Sequence, residues 1–177
     1  MRKIAVIILS LCFLLTSCSR TIEIRGLEKF DKANSTHSLC QNLLPDDMIN
    51  KFSYQSGDYF YLEVAPEGFG SIYDKALLYL TYDKTIYPAA KQYAMEQLDL
   101  SEEIVEEYNC FVFYDNQNPY VDISPYEFNR FAYNDETNTL LFIGFYASME
   151  FHDEVDAYAN DWGAFLENYY GEFYDFS

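Results

Sequence analysis

The sequence predicts an α+β fold, a mainly antiparallel sheet of about five strands with helices packed on one face. Three observations point there. Short runs such as residues 59–65 alternate apolar and polar side chains with period two, the mark of a half-buried strand. Strands and helices are grouped along the chain and do not alternate strictly. Near the C-terminus, aromatic residues recur at helical spacing. Half of the 177 residues are hydrophobic and 19% are aromatic, with 18 Tyr and 15 Phe, which excludes a disordered chain and supplies a real core.

The elements follow in order. Ile22, Ile24, Leu27 and Phe30 offer one weak edge strand or a helical turn within a polar segment. Leu39-Cys40 and Leu43-Leu44 suit a short helix stopped by Pro45, and Asp46 is placed to cap a second one carrying Met48, Ile49 and Phe52. In the strand at 59–65, Phe60, Leu62 and Val64 share one face and Tyr59, Tyr61 and Glu63 the other. A turn at 66–70 leads to a second strand at 75–82. From Thr85 the pattern becomes helical, with Pro88 in the first turn, where a missing N–H is harmless. Ser101 opens an acidic turn whose Glu102 and Glu103 suit a helix N-terminus. Residues 108–114, 127–133 and 139–146 read as three further strands, the last two joined tightly through 134–138. Phe151, Val155, Tyr158, Trp162, Phe165, Tyr169 and Phe173 then line one face of an amphipathic helix over 150–174, expected to cover the apolar face of the sheet. The segments 76–80 and 139–143 are a faint internal echo, each a hydrophobic strand feeding a helix.

The first eighteen residues follow a different logic. Arg2 and Lys3 precede an apolar run at 4–15, interrupted only by Ser10 and Cys12, and Leu15-Thr16-Ser17-Cys18 closes it. The run is short of the roughly 20 apolar residues that a membrane span needs, so it reads as an export signal. The motif resembles the lipobox of bacterial lipoproteins processed by the lipoprotein signal peptidase. The resemblance implies cleavage before Cys18, a diacylglyceryl group on its sulfur, and a lipid-anchored place on the extracytoplasmic face of the cell membrane. Two acyl chains anchor stably where one is marginal. The organisation expected is a signal peptide at 1–17, a lipid-anchored tether at 18–38 and one globular domain at 39–177.

Charge narrows the partners. Residues 18–91 hold 10 acids and 8 bases, whereas residues 92–177 hold 19 acids and one base, Arg130. Nucleic acid is excluded, because binding it requires Lys and Arg to neutralise phosphates. An acidic surface keeps an exported protein soluble; a basic patch on another protein or a divalent cation is compatible with it.

Four cysteines are present. Cys12 leaves with the signal and Cys18 takes the lipid, so Cys40 and Cys110 remain, as a disulfide permitted by export or as two buried thiols. Candidate chemistry is sparse. His152 and Asp156 lie at i and i+4 on a helix, close enough to share a metal, although the alternative is a solvated helix start. His37 falls in the expected tether. No nucleophile elbow, dinucleotide fingerprint or P-loop is spelled. Arg130, in a strand beside Phe128 and Phe131, suits an anionic ligand or a structural ion pair. Tyr59 and Tyr61 would form a recognition surface if their face is open, or semi-buried core if a helix covers it. The function expected is a membrane-tethered binding or accessory protein with no catalytic residues and no cofactor. Its partners would be the membrane, through the Cys18 lipid, and an envelope protein or saccharide. The rival is a cell-envelope hydrolase, metal-dependent, with its site near His152.

Overall fold

The computed structural model describes residues 19–41, 43–45, 47–66, 73–98, 104–108, 111–115 and 126–147, together with Glu167 and Gly171. Its strands are β1 (Ser19–Arg25), β2 (Tyr54–Pro66), β3 (Tyr73–Tyr82), β4 (Ile104–Tyr108), β5 (Phe111–Asp115), β6 (Tyr126–Asn134) and β7 (Thr139–Ala147). They form one seven-stranded sheet in the order β1-β2-β3-β7-β6-β5-β4, antiparallel at every pairing. The fold is α+β with a mainly antiparallel sheet, as the sequence predicts. Two meanders, β1–β3 and β4–β7, meet where β3 pairs with β7.

The centre of the sheet falls where the chain is apolar on both faces. Leu140, Leu141, Phe142 and Ile143 in β7 are all fully buried, so this strand reads as an unbroken apolar run instead of an alternating one. The two echoed segments are neighbours here: Leu77 lies opposite Ile143, Leu78 opposite Phe142 and Leu80 opposite Leu140.

Four α-helices are described, α1 (Phe30–Thr36), α2 (Ser38–Gln41), α3 (Met48–Lys51) and α4 (Tyr87–Gln97), the first preceded by a 3-10 turn at Leu27–Lys29. They pack against one face of the sheet. A row of large side chains crosses that face from β2 to β6, Tyr59, Leu78, Phe142 and Phe131, each 1% exposed or less. From the helices Phe30, Leu39, Met48 and Tyr87 meet it, and Phe30 stands edge-on to Tyr59 with centroids 5.1 Å apart. Ala90 and Ala94 are fully buried, and their small side chains let α4 lie close to the strands. The start of α4 is fixed by Asp83, which accepts from the Thr85 N–H and hydroxyl at 2.8 and 2.6 Å. Those bonds hold the Asp83 carboxyl below the usual carboxylate range. Lys91 in α4 reaches Asp135 in the β6–β7 turn at 2.8 Å and lies over the Tyr133 ring.

Several expectations are corrected. The segment read as a tether is folded into the domain. Ser19–Arg25 is an edge strand paired with residues 60–66 of β2. Gly26 then turns the chain at φ 96°, a conformation that favours glycine, and its N–H donates to the Tyr59 carbonyl at 2.8 Å. Phe30 and Ala33 follow into the core at 3% and 1% exposure. The apolar residues at 22, 24, 27 and 30 outweigh the polar composition around them.

The acidic turn after Ser101 gives a strand, β4, where a helix start was expected. Ile104, Val105 and Tyr108 are good strand formers, and pairing with β5 outweighs the small preference of acids for a helix N-terminus. The single strand expected at 108–114 is therefore two. β2 is longer than the alternating run, thirteen residues, and admits Gly57 because a Cβ there would sit 2.6 Å from the Tyr79 carbonyl oxygen. The N-cap of α3 is Asp47, left-handed at φ 60° and without a side-chain cap bond; Asp46 lies outside the described residues. The helix expected over 150–174 also lies outside them, apart from Glu167, which is helical, and Gly171, in a turn. Among the described residues no helix is long and apolar enough to cross a membrane.

Phe142→Ala would leave a cavity beneath the helices and beside Phe131, whose ring lies 5.3 Å away. It should lower stability by about 3–5 kcal/mol in urea denaturation.

Candidate functional site

A cluster of polar side chains lies under α1 and α2. β2 supplies Tyr59, Tyr61 and Glu63, which its period-two pleat puts on the helix-covered face. Asp74 in β3 is directly opposite Glu63 and is buried. His37 arrives because α1 ends before it. Ser35 and Thr36 both donate their hydroxyls back to the Lys32 carbonyl at 2.8 Å, and the His37 N–H closes the last turn on Ala33. His37 itself is extended, which brings its ring 4.4 Å from that of Tyr61. Cys40 follows on α2.

The contacts form two linked groups. The Cys40 Sγ and the Tyr59 hydroxyl are 2.9 Å apart, fully inside the core. The Tyr61 hydroxyl donates to Glu63 Oε2 at 3.1 Å, and His37 Nδ1 lies 3.3 Å from the same oxygen. The His37 and Glu63 side chains keep 12% and 14% of their surface, so solvent reaches this end only.

The electrostatics suppress reactivity. Burial pushes the Cys40 thiol up to about 11; the Tyr59 bond offsets part of that rise, and the negative charge of Asp74 adds a smaller one. The thiolate is the nucleophile, and reactive cysteines sit in electropositive, accessible places. Cys40 has the opposite surroundings. Tyr61 is pushed well above the usual phenol range by burial first, then by the charges of Asp74 and Glu63. Tyr59 is raised as well, chiefly by burial. Among the described residues no group of three or more His, Cys, Asp or Glu is placed to hold a metal.

The sequence-based candidates separate here. Tyr59 and Tyr61 are each 1% exposed and belong to the core, so the recognition surface they would have formed on an open face is not there. Their face is the one the helices cover. Phe60 on the other face is also buried, at 4%, while Leu62 and Val64 are half-buried. Cys40 is a free buried thiol beside the Tyr59 hydroxyl, which fits the second of its two alternatives; Cys110 lies outside the described residues. Arg130 occupies a register position in β6 opposite Asp115 and Ile143. Cys18, His152 and Asp156 lie outside the described residues. His37, which falls in the segment read as a tether, is part of the cluster. The sequence signal that could have found it was the shared face of Tyr59, Tyr61 and Glu63, which needed a polar neighbour once covered.

A second feature is a groove between α1 and α3 of about 130 Å³, with Phe30, Asn34, Gln41, Met48 and Asp47 among its lining. Asn34 Oδ1 is buried there without a hydrogen-bond partner. The volume is well below the roughly 300–1,000 Å³ of small-molecule pockets. No family model, curated protein or solved structure matches this chain.

Two expected outcomes follow from the buried hydroxyls. Tyr59→Phe removes the partner of Cys40 and should cost about 1 kcal/mol, whereas Tyr82→Phe removes a buried hydroxyl that has no hydrogen-bond partner and should be neutral or stabilising by up to about 1 kcal/mol. Urea midpoints of the two variants would check the contrast. The second concerns pH. The unfolded chain releases the Cys40 proton near pH 9.0, but the folded chain keeps it to about 11, so native stability is full below the first value and falls through the second. The raised tyrosines act in the same direction once the pH passes the ordinary phenol value of 10.0, so their loss overlaps that of Cys40. Urea midpoints measured at neutral pH and at alkaline steps should show that loss, and a midpoint unchanged through pH 11 would contradict it.

Proposed function

We propose that this chain is an exported lipoprotein, anchored by a lipid on Cys18 to the extracytoplasmic face of the cell membrane, where it acts by binding. The observation that carries the reading is the ending of the N-terminal apolar run in Leu15-Thr16-Ser17-Cys18, after Arg2 and Lys3. An accessory role is supported by the character of the polar cluster. Its groups are directed at one another, and its thiol is held protonated by burial. The partner class is an envelope protein or a saccharide. A protein with a basic surface suits the 19 acids of the second half best.

Cys18→Ala should abolish incorporation of labelled palmitate or glycerol and release or stall the protein, as read by membrane fractionation. Wild-type protein recovered from membranes with its Met1 terminus intact and no lipid would end the reading.

A further inference from the structure

We infer that the lipidated domain lies on an anionic phospholipid bilayer by its β1 side, with its β4 side turned outward. The inference rests on the lipid-anchor reading of Cys18. Three observations carry it.

The first is the lack of slack. β1 begins at Ser19, the residue after Cys18, and a chain spans at most about 3.3–3.6 Å per residue. The lipid therefore holds the domain at the β1 edge of the sheet, with no linker on which it could stand away.

The second is that the strand order sorts charge in space. β1, β2 and β3 carry four acids and three bases, whereas β7, β6, β5 and β4 with the β6–β7 turn carry six acids and one base, Arg130. β4 lies six strand spacings from β1, about 29 Å, or between about three and four Debye lengths at physiological salt. With the β1 side down, the acidic side is beyond the reach of the membrane's field. Tipping the domain over would bring that charge onto like-charged headgroups.

The third is the sign of the contact segment itself. Residues 19–41 hold four bases and three acids, whereas residues 42–177 hold 5 bases and 26 acids. Arg20, Lys29 and Lys32 are exposed. This is the part of the mature chain with a positive balance, and it directly follows the anchor. The same segment discourages a protein strand from adding to the edge, because Arg20, Glu23 and Arg25 are all exposed along β1. Lipid phosphates meet no such obstacle.

The test uses the full lipidated protein in vesicles of phosphatidylglycerol and phosphatidylcholine. p-Benzoylphenylalanine replaces Lys32 on the β1 side, Glu107 in β4, or Glu136 in the β6–β7 turn, and lipid adducts are counted by mass after irradiation. Adducts at 32 should exceed those at 107 and 136 several-fold. The excess should fall in high salt, in pure phosphatidylcholine, and in Arg20→Gln/Lys29→Gln/Lys32→Gln protein probed at Thr21, with the Cys18 lipid mass unchanged. Equal yields at 32 and 107 with the lipid in place would overturn the inference by showing a freely pivoting domain, and a higher yield at 107 would reverse it. A purified protein whose mass shows no lipid on Cys18 would instead remove the anchor reading, and this orientation with it.

Discussion

The structure depends on burying tyrosines. The helix-covered face of the sheet takes much of its bulk from Tyr59, Tyr61 and Tyr82, with Tyr87 facing them from α4. Each ring contributes large apolar area but also a hydroxyl that costs about 1–3 kcal/mol if left unpaired in the core. The polar groups nearby are explained by that demand. Cys40 meets Tyr59, Glu63 meets Tyr61, and Asp135 meets Tyr87 at 2.7 Å. Asp135 shows the balance clearly. Burial pushes its carboxyl up, yet the bonds from Lys91 and Tyr87 outweigh burial and hold it below the usual range. The short helices α1 and α2 are placed where they must be to bring His37 and Cys40 over the sheet. Tyr82 is the exception, with a hydroxyl that finds no hydrogen-bond partner.

The same demand explains why the thiol in a cluster of Cys, His and carboxylates is held protonated. A nucleophilic thiol needs a base or a positive field to ionise it. Here the thiol's partner is a phenol that is itself raised, and the charge of Asp74 acting on it is negative. The residue types resemble a catalytic set. Their order in space, with thiol against phenol and imidazole against carboxylate, serves the core.

The strongest parts of the fold were legible because they carried a period. The alternation around 59–65, the apolar runs of β3 and β7, and the turn between β6 and β7 all gave their elements from sequence, short by a residue or more at the ends. β1 was harder, since Arg20, Glu23 and Arg25 make an edge strand look like a solvated linker. Exposed charge is what edge strands use to resist further pairing, so its presence hides them. β4 was hidden by acids for the same reason. The tyrosine face could not be assigned at all from alternation. Period two separates the faces of a strand but does not say which one a helix will cover, and here Phe60 on the second face is buried as well. The cluster was missed with it, because His37 and Cys40 sit on short helices that no periodic pattern announces.

Neither meander is complete alone. β3 and β7 are apolar on both faces, and each would be an edge strand without the other, open to unwanted pairing. Their union joins residues far apart in sequence: Thr81 and Thr139, 58 positions apart, lie side by side with their hydroxyls 3.1 Å apart. Such a contact carries the loop-closure cost of a non-local pairing, and burying Leu78 against Phe142 and Leu80 against Leu140 is what offsets it. The central pairing also has a consequence for charge. Because β3 meets β7 and each meander then runs outward, the nearly neutral strands β1–β3 and the acidic strands β4–β6 with the β6–β7 turn occupy opposite sides of one sheet. A different strand order, with the meanders interleaved, would mix the two charge populations and average them. The apolar centre that makes the domain one unit is therefore also what keeps its two electrostatic sides apart.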